Sequence, residues 1–336
     1  MKKMKWAGGL LLMALLLSRP QAAAQAAARA MAHWYAAVAP SVFPFLALMP
    51  LLTCREAARV YERALGRAMG ALFDLPGAAA PAMVIGMVAG TPAGAIAARS
   101  VAVQSGMNRG QLDRLALASM GFSPAFLVSG VGAGLLGSPE AGWRLAGAQL
   151  MTQLTLALLL RGAWRGRTSP VSAGGPVREE SPVRGAALAA LTICGYMALF
   201  AALAGAAGAW LGGGAAGALL CLLDVPSGAR VLSEAALDAQ TRLVLLAAIC
   251  GFGGACVITQ LLAALGDGGP GVAEAFGLRS IAGAINAGWM ALGLRLGKID
   301  VPGFMETFRV HPLAFAGLCA SLLAVPAILQ FRKSIS

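Results

Sequence analysis

Charge is what this 336-residue chain has least of. Asp, Glu, Lys and Arg make up 12% of it, against about 25% in an ordinary soluble domain. With 58% hydrophobic residues and a mean hydropathy of +0.75, too few charges remain to coat a globule. That excludes a soluble enzyme and a disordered chain alike. Histidine is scarce too. His33 and His311 stand far apart without ligand-like neighbours, which argues against a zinc site. Cys54, Cys194, Cys221, Cys250, Cys256 and Cys319 form no CxxC pair and lie in or beside apolar runs. They read as packing residues, neither a disulfide frame nor metal ligands. Gly-x-Ser-x-Gly and His-Glu-x-x-His are both missing, so neither hydrolase chemistry is expected, nor any cofactor or metal. The net charge of +12 is no nucleic-acid signature. Its basic residues sit in short clusters between apolar runs, as on the cytoplasmic side of a polytopic membrane protein.

What is present is apolar length, so the first partner expected is the lipid bilayer. About 20 apolar residues cross a bilayer as a helix. On that ruler the sequence predicts spans near 4–18, 40–54, 116–136, 142–161, 185–210, 241–263, 277–296 and 311–331. Lys2, Lys3 and Lys5 before an apolar stretch imitate a signal peptide. The segment is read as an uncleaved first span, because the rest of the chain is membrane-embedded. The Ala-rich stretch 21–38, with Arg29, His33, Trp34 and Tyr35, suits an interfacial helix. Pro40 and Pro44 are expected to break the backbone after it.

Two apolar stretches fit no span. One, 75–103, is interrupted at Gly90-Thr91-Pro92-Ala93-Gly94; the other, 215–237, at Asp224-Val225-Pro226-Ser227-Gly228. Each leaves about ten apolar residues on either side, enough for half a bilayer. Both are predicted to be re-entrant hairpins. Gly121-Phe122 follows Pro92 by 29 residues, and Gly251-Phe252 follows Pro226 by 25. The basic residues near Arg55–Arg67, Arg109, Arg114, Arg161–Arg184 and Arg332 fall inside if the N-terminus is cytoplasmic. In that topology the two hairpins enter from opposite sides.

The fold predicted is therefore an all-α polytopic membrane protein of about eight spans, with two re-entrant helical hairpins in an inverted-topology repeat. Residues 1–39 form an N-terminal span and interfacial helix, 40–161 a first repeat, 162–184 a polar cytoplasmic linker, 185–296 a second repeat, and 297–336 a C-terminal span with a basic tail. Transporters built this way bind solute near the midplane, between broken helices. A packing role for the Gly and Pro residues is the competing reading, since both are common in membrane helices. The Gly132, Gly134, Gly137 pattern has no strand–helix context, so it reads as helix packing and not as a nucleotide loop.

The chain resembles the sporulation integral membrane proteins of the YlbJ type, within the broader nucleoside-recognition gate-domain group. The likeness runs through Ala39-Pro40-Ser41-Val42-Phe43-Pro44-Phe45, Leu75-Pro76-Gly77, Gly86 to Ala95, Asp224 to Gly228 and Phe252 to Gln260. It departs at Ser119 to Pro124, where the family carries asparagines, and at Ser280 to Ala284, where it tends to have a histidine. The resemblance implies a spore-forming bacterium and movement of a small anionic metabolite, dipicolinate, toward the spore. It implies the cytoplasmic membrane, at the mother-cell or outer forespore boundary, with a homo-oligomer or other sporulation membrane proteins as partners. A nucleoside-like solute and a non-transporting assembly role are the alternatives.

The candidate substrate-binding set is Gly90, Thr91, Pro92, Gly94, Ser123, Pro124, Ser227, Gly228, Arg230, Thr259 and Gln260. Thr91, Ser123, Ser227, Thr259 and Gln260 offer neutral hydrogen bonds, though each could equally satisfy freed backbone groups at a broken helix. Asp224 is a candidate for a coupling ion or for capping the half-helix after it. Arg230 is a candidate carboxylate ligand, with a partner acid or snorkelling as the plainer reading. Gln149 and Gln153, a turn apart, are expected to bridge helices.

Overall fold

The computed structural model describes residues 2–171, 181–211, 213–266 and 269–297. The expected span 311–331, the basic tail and the linker residues 172–180 lie outside the described residues. Those described form helices throughout, with no β-strand among them.

The first helix, α1 (Lys2–Ser18), turns by 97° at Arg19 into α2 (Pro20–His33). A π-helical stretch, Trp34–Val38, then leads without interruption into α3 (Ala39–Thr53). Pro40 and Pro44 therefore do not break the chain as expected. Pro40 follows directly on the π-helical stretch, and Pro44 and Pro50 lie inside α3, yet the helix continues through all three. Helix α2 packs along α9 (Pro182–Gly208), with the Ala22 carbonyl and the Ala26 methyl against Gly205. A Cβ at Gly205 would stand 2.6 Å from that of Ala26, a close approach of the kind small residues permit. The α1–α2 elbow is held by Trp210 beyond α9, whose indole N–H donates to Ser18 Oγ at 3.0 Å while its ring stacks under Arg19.

After Cys54 comes α4 (Arg55–Phe73), ended by Asp74 in the left-handed region at φ 54°. A short 3-10 turn leads to α5 (Ala80–Ala89), and the path from α4 to α5 bends by 91°. Then follow α6 (Ala93–Gln104) and α7 (Arg109–Ala118), the latter opened by a capping box of Asn108 and Gln111. The predicted span 116–136 is not one helix. The chain leaves helical form after Ala118 and resumes at Pro124, continuing as a π-helical stretch, Phe126–Leu135.

The later helices match the sequence better. They are α8 (Pro139–Leu159), α9, α10 (Gly213–Leu223), α11 (Val225–Glu234), α12 (Ala239–Phe252), α13 (Gly254–Leu265) and α14 (Val272–Leu296). Both α8 and α9 start three residues before the apolar count suggested, because a Ser-Pro pair opens each. Among the described residues, Pro182–Gly208 and Ala239–Leu265 are each long and apolar enough to cross a membrane. With the two bent pairs counted as one span each, the number reaches four.

Alanine is prominent in the first core cluster. Ala79, Ala82, Ala93, Ala97, Ala98 and Ala102 are fully enclosed where α5, α6 and α7 meet, and Leu127, Val131, Leu145, Leu246 and Met290 fill a second cluster under α8, α12 and α14. Gly132 of the expected glycine pattern lies against Gly142 of α8, a packing contact as anticipated.

Candidate functional site

Both expected interruptions are present, and each closes a helical hairpin. In the first, α5 and α6 cross so closely that a Cβ at Gly94 would lie 2.6 Å from Gly86 Cα. Between them Gly90 adopts φ 75°, a conformation that favours glycine. The Thr91–Pro92 peptide is cis. In the second hairpin, α10 and α11 cross at Gly228, where a Cβ would lie 2.6 Å from Cys221 Cα. Asp224 forms the bend. Its carboxylate accepts from the Ser227 N–H at 3.1 Å and the Ser227 hydroxyl at 2.6 Å, so the structure gives it the capping role.

Each hairpin tip rests on a second, unwound stretch of chain. Thr91 N–H donates to the Gly121 carbonyl at 2.7 Å, and Thr91 Oγ1 accepts from the Gly121 N–H at 3.1 Å. A Cβ at Gly90 would stand 2.7 Å from the Ser123 nitrogen. Ser123 Oγ in turn accepts from the Phe126 N–H at 3.2 Å and restarts the helix. On the other side, Gly253 and Gly254 lie at φ 89° and 72°, interrupting the path from α12 to α13. A Cβ at Gly254 would approach the Leu223 carbonyl, at the second tip, to 3.1 Å. The Gly121-Phe122 and Gly251-Phe252 pairs thus fall at these two interruptions.

One side chain joins them. Arg279 of α14 is 1% exposed. Its Nε donates to the Phe252 carbonyl at 3.1 Å, Nη1 to Met120 at 3.3 Å, and Nη2 to Gly251. No carboxylate among the described residues pairs with it. Beside it lies a buried amide and hydroxyl network. Thr152 donates to Asn286 Oδ1 at 3.0 Å, and Asn286 Nδ2 donates to Ala247 O at 2.8 Å and Gln149 Oε1 at 3.4 Å. The Gln153 amide reaches the Gly86 carbonyl at 3.4 Å. A side chain at Gly121 would collide with both glutamine amides. Gln149 and Gln153 line a narrow cleft with Phe122, Pro124, Trp143 and Met87, and the Gln149 Nε2 is buried without a partner.

The sequence-predicted residues divide between these places. Gly90, Thr91, Pro92, Gly94, Ser123 and Pro124 gather at the first interruption. Ser227 and Gly228 belong to the second hairpin with Asp224. Arg230 is exposed on α11 and forms no ion pair among the described residues. Thr259 donates back to the Ala255 carbonyl at 2.8 Å, and buried Gln260 donates to Cys256 Sγ at 3.2 Å, both within α13. Arg279 and Asn286 were missed. Their signal was a lone cation and a lone amide in the apolar run of α14, the same rule that singled out Asp224.

No family model matches the chain, and no solved structure matches it. A curated relative does. The chain is similar to the sporulation integral membrane protein YlbJ of Bacillus subtilis (strain 168). The two are 30% identical over 152 residues, 45% of this chain. The alignment covers 37% of YlbJ, so this chain spans well under half of that protein's length. Likeness to an integral membrane protein, together with the long apolar helices, makes this an α-helical membrane protein. The likeness to YlbJ is the one expected from the motifs.

Proposed function

We propose that this protein carries a small anionic metabolite across a bacterial cytoplasmic membrane during sporulation, with dipicolinate as its solute. The observation that supports this best is the pairing of each broken hairpin with an unwound stretch, the two stretches being tied by the buried Arg279. Broken helices at membrane depth are tolerated where they are buried in protein or line a polar path. They are the usual setting of a solute site in secondary transporters. A cation held there without an acid favours an anionic guest over a neutral one. The relative's name supplies the sporulation context, and gate-like hairpins of opposite orientation would supply alternating access. In this reading Thr91, Ser123 and the Gly90–Gly94 turn face the solute from one hairpin, Ser227 and Gly228 from the other. The membrane is the mother-cell or outer forespore membrane, with the N-terminus cytoplasmic.

The test is uptake of dipicolinate into vesicles holding the purified chain. Flux above protein-free vesicles is expected, cut at least tenfold by Arg279→Gln and retained in part by Arg279→Lys. Flux no greater than in protein-free vesicles would overturn the reading. Full competition by nucleosides would reassign the solute class.

A further inference from the structure

Helix α4 carries a feature that solute movement does not use. Arg55, Arg59, Arg63 and Arg67 recur every four residues, and all four are exposed. Tyr61, Leu65, Met69 and Phe73 recur at the same interval, two positions on, or about 200° around a helix of 3.6 residues per turn. That second row faces the protein: Tyr61 and Met69 are buried, and Leu65 and Phe73 pack against the core. No carboxylate among the described residues lies within ion-pair distance of the four arginines. The acids on the same helix are Glu56, in its first turn, and Glu62, which accepts from the Ala78 N–H at 3.1 Å. The path bends by 91° from α4 into the first hairpin. A helix leading at a right angle into a membrane-dipping hairpin runs along the membrane surface. Its end at Asp74 meets Arg114 and Arg165, so it lies on the same side as the linker.

We infer that α4 lies in the headgroup layer on the linker side and that its arginine row binds the phosphates of anionic phospholipids. Charge selects the partner. Four like charges in a row, none of them ion-paired among the described residues, complement a negative leaflet, where each basic residue near the surface contributes about fivefold in association. The inference stands apart from the transport reading, since it concerns lipid and not solute.

The experiment reconstitutes the full chain in vesicles and compares spin-labelled phosphatidylglycerol with spin-labelled phosphatidylcholine at the protein boundary. The unaltered chain is expected to prefer phosphatidylglycerol. Replacing all four residues together (R55Q, R59Q, R63Q, R67Q) is expected to cut that preference by at least about fivefold, the share of a single basic residue, and high salt to weaken it. The lysine set (R55K, R59K, R63K, R67K) keeps the charge and is expected to keep the preference. An unchanged preference in the glutamine set, or its loss in the lysine set, would overturn the inference.

Discussion

Arg279 is the residue on which most of the inner arrangement converges. Three backbone carbonyls take their hydrogen bonds from it, Met120 in the unwound stretch after α7 and Gly251 and Phe252 at the end of α12. A buried carbonyl left without a donor costs about 1–3 kcal/mol. Arg279→Met is therefore expected to lower stability by more than about 3 kcal/mol, read as a lower melting temperature in detergent. Arg279→Lys, which keeps a donor, should lose less. Asp224 offers a cleaner separation. Asp224→Ala removes the cap on Ser227 and should destabilise by about 1 kcal/mol, whereas Asp224→Asn keeps an acceptor and should be nearly neutral. If capping is its whole role, the Asn variant also keeps vesicle flux. Stable protein with no flux would show instead that the charge itself is needed.

Among the elements, the hairpins depend on close helix crossings. Gly94→Ala places a Cβ 2.6 Å from the Gly86 backbone, where no flexible side chain can yield. The crossing must open, at about 1–3 kcal/mol, and the Thr91–Gly121 bonds should loosen with it. Gly147→Ala on α8 meets open space and is expected to stabilise by up to about 1 kcal/mol. Thermal melts of the two variants side by side measure the contrast. Both hairpin interruptions were legible in the sequence because Gly, Pro and Asp mark them locally. The unwinding of Ser119 to Ser123 was not. They stand between two apolar runs that read as one span, and what holds them open is Thr91, 30 positions from Gly121, and Arg279, 159 from Met120. Periodicity within a window cannot see such partners. Nor did Pro40 and Pro44 show locally that the helix after His33 runs on through both of them.

On the scale of the whole molecule, one group of polar bonds between residues before and after the linker lies beside the linker itself. Arg99 donates to the Leu265 carbonyl, and Arg109 Nη2 to Gly269 O at 2.9 Å. Arg167 of the linker bridges Asp113 of α7 at 2.6 Å and Glu274 of α14 at 3.0 Å. The hydrogen bond that Arg167 donates to Asp113 raises its guanidinium above the ordinary range, so that it stays charged. Asp113 is fully enclosed, while Glu274 is partly exposed. Removing Arg167 strands a buried acid, so Arg167→Met should lower stability by about 3 kcal/mol. Glu274→Gln, at the partly exposed end, should change it by less than about 1 kcal/mol. Equal effects in denaturation of the two variants would contradict this ranking. That the polar stretch after α8 fastens α7 to α14 was not readable in the sequence, since it rests on one arginine meeting acids 54 and 107 positions away.

The right-angle elbow between α4 and α5 also sets a depth stop. The ten residues of α5 rise about 15 Å, half of an apolar layer about 30 Å thick. With α4 on the surface, as we infer above, the Gly90 turn would halt near mid-depth and could not sink further unless α4 lifted away. Motion of that loop would then be sideways swinging about a fixed pivot, not plunging through the layer.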